Sequence, residues 1–108
     1  ARFGFAMASG STGTATIVHL LSAGDHVVAC DDMYGGSYRL FERVFKQQGI
    51  EFSYVDMANP DNLAKAMRKN TKLIWVETPS NPLLKVVDIA KAAAVAHASS
   101  ALRISSGR

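Results

Sequence analysis

The sequence predicts an α/β chain, a mostly parallel sheet with flanking helices. Three observations carry this. Short apolar runs rich in Val, Ile and aromatic residues alternate with stretches of helical periodicity along the 108 residues. The connections between apolar runs are long enough for the crossovers that parallel strands require. Gly, Ser, Asn, Tyr and charge collect in three loops, over 8–13, 31–37 and 77–82, where an open parallel sheet places its ligand-binding loops.

The elements follow in order. Phe3 to Met7 is a short apolar piece ending in Ala8-Ser9-Gly10. Ser11 and Thr12 can cap a helix over 14–22, with Ile17, Leu20 and Leu21 on one side and Gly24 stopping it. His26–Cys30 reads as a strand, and a helix over 38–48 places Leu40, Phe41, Val44 and Phe45 at helical spacing before Gly49. A strand spans 50–55. Asn59 then caps a helix whose first position suits Pro60 and whose inner face holds Leu63, Ala66 and Met67. Thr71–Thr78 is the clearest strand, broken by Pro79-Ser80-Asn81-Pro82. An Ala-rich helix runs over 88–97. Residues 98–108 lose periodicity and read as a divergent or frayed tail, not as a strand.

Composition narrows the function classes. With 48% hydrophobic and 19% charged residues, the chain is an ordinary globular sequence, not a disordered or disulfide-stapled one. Twelve basic against nine acidic residues leave a net charge of +3 with no basic run, so nucleic-acid binding is not expected. No apolar run approaches the ~18 residues of a membrane span, and membrane association is not expected. Cys30 stands alone and His19, His26 and His97 lack ligand spacing, so no metal site is expected. A lone Cys fits a reducing compartment, and a cytoplasmic location is the expectation.

Each loop has a chemical reading and a plainer one. Ser9-Gly10-Ser11-Thr12-Gly13 opens a helix, where free N–H groups attract phosphate; it also reads as an ordinary capped helix start. Tyr34 beside Gly35-Gly36 can lay its ring on a flat ligand or move protons, and Arg39 can grip a carboxylate. The plainer alternative is a solvated turn, with Arg39 paired to Asp31 or Asp32. Glu77 and Asn81 are rigidly displayed between a strand end and two prolines, or Asn81 bonds its own backbone.

Together these segments resemble the cystathionine γ-synthase/γ-lyase family of pyridoxal-phosphate enzymes, which includes methionine γ-lyase. The resemblance rests on Ala8-Ser9-Gly10, Ala23-Gly24-Asp25-His26-Val27-Val28, the run from Asp31-Asp32-Met33-Tyr34-Gly35-Gly36 to Phe41, and Glu77-Thr78-Pro79-Ser80-Asn81-Pro82 continuing to Ile89. It implies a piece of the large domain of fold-type I pyridoxal-phosphate-dependent transferases, over residues 1–97. It implies pyridoxal 5′-phosphate as cofactor, with Gly10 and Ser11 amides on its phosphate. The Tyr34 ring stacks on the pyridine, and its hydroxyl assists departure of the γ-substituent. Asn81 contacts the ring oxygen, and Glu77 and Arg39 line the substrate site. The implied reaction is γ-elimination or γ-replacement on a sulfur amino acid, by a cytoplasmic homotetramer.

The chain also departs from the family pattern. Ser11-Thr12-Gly13 replaces the usual bulkier and Ala-rich run, and Gly13 costs the helix about 1 kcal/mol against Ala. The Asp-bearing strand that pairs with the pyridine nitrogen and the Ser-x-Thr-Lys segment with the Schiff-base Lys have no counterpart here. The expectation is a fragment, inactive by itself. A nucleotide-binding α/β dehydrogenase domain and a non-catalytic α/β interaction domain are the alternatives.

Overall fold

The computed structural model describes residues 2–99 throughout and the backbone of 102–107. Its elements are α1 (Gly10–Val18), β1 (His26–Cys30), α2 (Gly35–Leu40), β2 (Glu51–Val55), α3 (Pro60–Ala66), β3 (Thr71–Thr78), α4 (Ile89–Ala98) and β4 (Leu102–Gly107). The sheet order is β2-β1-β3-β4 and every pairing is parallel.

β1 is an inner strand and is buried along its whole length, which is why His-Val-Val-Ala-Cys reads as a continuous apolar run instead of alternating. Ala29 lies opposite Tyr54 on one side and Trp75 on the other. α2 meets β2 through Tyr38 and Tyr54, whose ring centroids lie 5.2 Å apart. Its continuation widens into a π-helical turn (Phe41–Phe45) and tightens into a 3-10 turn (Lys46–Gln48), ending at Gly49 with φ 88°. Both Phe41 and Phe45 are buried as a result. Phe41 stacks on Phe52 of β2 with centroids 4.8 Å apart, and meets Trp75 of β3 edge-on at 5.8 Å. One aromatic therefore ties a helix to the two strands flanking β1.

The helix starts follow capping chemistry. Asn59 accepts the Asp61 N–H and Pro60 occupies the first turn of α3, as its sequence predicts. Asp88 accepts the Lys91 N–H at the start of α4. α1 differs from expectation. Its cap is Ser9, not Ser11 or Thr12, and it spans Gly10–Val18 instead of 14–22. Several capping-type residues lie close together there, and the extended backbone at Ser9 selects the first of them.

The C-terminal expectation needs correction. The stretch read as a frayed tail contains β4, which pairs in parallel with β3 from Leu73↔Leu102 to Thr78↔Gly107. The outer edge of β3 supplies a ladder of N–H and C=O groups, and that edge recruits a segment whose own pattern gave little strand signal.

His26 opens β1 fully buried. Its Nδ1 lies 2.7 Å from Thr71 Oγ1 and its Nε2 2.8 Å from Ser53 Oγ. Burial, with the nearby Arg68 charge, lowers its pKa. The unfolded chain then takes up a proton near the ordinary His value of about 6.5 while the folded chain resists it. Stability is full above that pH and falls as pH drops through and below it. Urea midpoints are expected to decrease between about pH 7.5 and pH 5.5 in the parent chain, on either side of that value, and to change less in His26→Gln. An equal pH response in both chains would contradict this.

Candidate functional site

The site lies at the start of α1 and at the carboxyl ends of β1 and β3. At α1, Ser9 Oγ accepts the Thr12 N–H at 3.1 Å, and the Ser9 carbonyl accepts the Gly13 N–H at 3.1 Å. Helix geometry gives the Gly10 and Ser11 N–H groups no intrahelical acceptor, so they point outward from the positive end of the helix. A Cβ placed on Gly10 would meet nothing within 4 Å, so the approach to these amides is open. Ser11 and Thr12 share an open groove of about 530 Å³ with Gly36, Arg39 and Arg43.

Tyr34 sits between β1 and α2, with its residue surface 40% exposed. Its ring lies against Gly36. A Cβ on Gly36 would overlap Tyr34 Cε1 and come within 3.1 Å of Cδ1 and Cζ. The second glycine of the Tyr-Gly-Gly run thereby admits this ring. Arg39 is exposed, with no ion pair among the described residues. The anticipated pairing with Asp31 or Asp32 does not form, because both acids are committed elsewhere.

Asp31 takes Lys85, whose Nζ lies 3.2 Å from Asp31 Oδ1 and 3.3 Å from Asp56 Oδ2. The hydrogen bond to Asp31 raises the Lys85 pKa, so this ammonium stays charged. Asp32 Oδ2 accepts the Ser80 hydroxyl at 2.5 Å and the Leu83 N–H at 2.8 Å. Ser80 Oγ in turn accepts the Lys85 N–H at 2.8 Å. The loop bearing Asn81 is thus pinned to the end of β1. The Asn81 side chain is exposed and makes no hydrogen bond among the described residues, so the alternative in which it bonds its own backbone is not realised.

Glu77 does not face the open side of the site. It is buried, with Oε2 accepting the Tyr34 N–H at 2.8 Å and Oε1 accepting the Trp75 Nε1–H at 3.2 Å. Asp32 and Ser80, both buried, are the site-shaping residues that sequence reasoning missed. Their only signal was an acid at a strand end and a hydroxyl between two prolines. Cys30 lies beside them, and burial pushes its thiol up to about 11, so it is not a nucleophile at neutral pH.

Asp32→Ala is expected to leave the Ser80 hydroxyl and Leu83 N–H without their acceptor. The expected loss is about 1–3 kcal/mol, with faster hydrogen exchange at Leu83. Denaturant titration and exchange at that amide test it, and unchanged protection at Leu83 would refute the pinning role.

The profile of the Cys/Met metabolism PLP-dependent enzyme family matches residues 1–105. The chain belongs to this family. It is 56% identical over 94 residues to a cystathionine beta-lyase of Coxiella burnetii, covering 86% of this chain and 24% of that protein. It is 48% identical over 96 residues to a probable cystathionine gamma-synthase of Herpetosiphon aurantiacus, covering 89% of this chain and 30% of that one. The crystal structure of cystathionine gamma-lyase from Lactobacillus plantarum, complexed with L-serine, superposes with a TM-score of 0.92 at 44% identity. That match covers 94% of this chain and 26% of the other. This family chain therefore spans about a quarter to a third of the relatives it matches, and its fold is the corresponding α/β piece of a cystathionine enzyme.

Proposed function

We propose that this chain is the cofactor-cradling part of a pyridoxal-phosphate-dependent transsulfuration enzyme acting on sulfur amino acids by γ-elimination or γ-replacement. The observation that carries the reading is the juxtaposition of an exposed Tyr34 ring, seated on Gly36, with the groove that Gly36 shares with the start of α1. The residues fit the cofactor. Outward N–H groups at Gly10 and Ser11 suit a phosphate. The Tyr34 ring suits a flat heteroaromatic face, and the unbonded Asn81 amide suits a ring oxygen. When bound, pyridoxal phosphate supplies the electron sink for carbanion chemistry.

The chain's own groups do the rest. Gly10 and Ser11 anchor one end of the ligand, and Tyr34 fixes the tilt of its ring. In this reading Tyr34 Oη gives a proton to the departing γ-substituent. Arg39, without a carboxylate partner among the described residues, remains available to a substrate carboxylate. The chain lacks the Lys and Asp segments of the family pattern, so we further propose that it does not turn over alone. The parent enzyme self-associates as a homotetramer. Exposed Phe3, Phe5, Leu20, Leu83 and Leu84 offer apolar surface to the remainder of the enzyme or to a neighbouring subunit. We also propose a cytoplasmic location.

Pyridoxine 5′-phosphate tests the reading, because it lacks the aldehyde that would label surface lysines. Titrated into the ¹⁵N-labelled chain, it is expected to shift the Gly10, Ser11 and Tyr34 amides at a common midpoint. Shifts confined to other residues, or binding of NAD in its place, would overturn the cofactor reading in favour of a nucleotide-binding domain. Steady γ-elimination by the chain with pyridoxal phosphate would overturn the inactivity.

A further inference from the structure

The carboxylate of Glu77 looks inward, and its bonds say what it is for. Its two oxygens serve two donors: the Tyr34 backbone N–H at 2.8 Å and the Trp75 indole N–H at 3.2 Å. Tyr34 is the N-cap residue of α2. The peptide at the entry of α2 is therefore held by a side chain from β3, 43 positions away in the chain. Two features then bear on where the Tyr34 ring goes. Glu77 fixes its backbone, and the missing Cβ of Gly36 leaves the slot the ring occupies.

We propose that Glu77 is a positioning residue that sets the Tyr34 ring for cofactor stacking and does not itself contact substrate. The proposal rests on the reading above, in which Tyr34 meets the cofactor. Both oxygens face N–H donors inside the fold and the residue is only 8% exposed, so the carboxylate offers little surface to a substrate ammonium, and drawing it outward would strip the buried Trp75 of its acceptor. A buried donor without an acceptor is strongly disfavoured. Glu77 thus acts through Tyr34.

The test uses the full chain and begins without ligand. A ring lying on Gly36 shifts the Gly36 Hα resonances upfield, and Tyr34→Leu identifies that shift by abolishing it. In Glu77→Ala the upfield shift is expected to fall by at least half, and exchange of the Tyr34 amide to quicken about tenfold, as for a lost charge-assisted bond. Glu77→Gln keeps one acceptor oxygen and is expected to move both readouts less, in the same direction; it carries the test if the Ala variant does not fold. Trp75→Phe removes the other donor only and is expected to leave the Gly36 shift in place. A parental Gly36 shift and parental Tyr34 exchange in the Glu77 variants would overturn the proposal. So would an equal loss of the shift in Trp75→Phe, which would mark general loosening. With pyridoxine 5′-phosphate, Glu77→Ala is expected to bind about tenfold more weakly, because the competent ring pose is less populated. If the parent chain does not bind it, the cofactor reading fails, while the ring shift and amide exchange still decide whether Glu77 positions Tyr34.

Discussion

Phe41→Ala is expected to remove a large share of the stability of this chain. The side chain is fully buried, stacked on Phe52 and edge-on to Trp75. Truncating a large buried aromatic costs about 3–5 kcal/mol, from lost transfer energy plus the cavity left behind. Typical domains have only about 5–15 kcal/mol in total. The cavity would open between α2 and two strands at once, so no single neighbour can close it. Urea titration followed by near-ultraviolet circular dichroism measures the loss. A change under about 1 kcal/mol would show that Phe41 is not the tie between α2 and the sheet.

Gly36→Ala is expected to do the opposite to stability and to damage the site. Ala is the better helix former by up to about 1 kcal/mol, and Gly36 lies within α2. The new Cβ would overlap the Tyr34 ring, whose side chain can rotate while the backbone cannot. The ring is therefore the part that gives way. The melting temperature should stay level or rise slightly, while affinity for pyridoxine 5′-phosphate falls on the order of tenfold, as expected when most of the binding-competent population is lost. Retained affinity would separate Tyr34 from ligand binding. Retained affinity with an unmoved ring would show instead that Gly36 is replaceable.

Much of the fold was legible from local chemistry. His26–Cys30 and Thr71–Thr78 coincide with their apolar runs because turn residues bound both ends. Asn59-Pro60 marks a helix start that no other residue competes for. α2 was less legible. Gly35-Gly36 reads as a loop, and a helix over 38–48 follows from the apolar spacing alone. The helix begins at Gly35, just after a peptide whose N–H donates to Glu77, and no local signal reports a partner from another strand. β4 was illegible for a related reason, since its strand state depends on the open edge of β3.

The same division runs through the site. Gly10, Ser11, Tyr34 and Asn81 stand out by residue type and spacing, and the structure leaves their groups open or exposed. Glu77 and Asp32 are also acids at strand ends, but the family resemblance puts Glu77 at the substrate site, and the plainer reading of the loop pairs Arg39 with Asp31 or Asp32. In the fold both turn inward, Glu77 onto the Tyr34 peptide and Asp32 onto the Ser80 loop. Alone, then, the sequence determined the alternation of elements and the family, because those depend on periodicity, turn type and side-chain identity. Only the tertiary structure decided which way each acid faces, because a buried carboxylate goes to whichever N–H and O–H donors packing leaves beside it, and those come from distant parts of the chain.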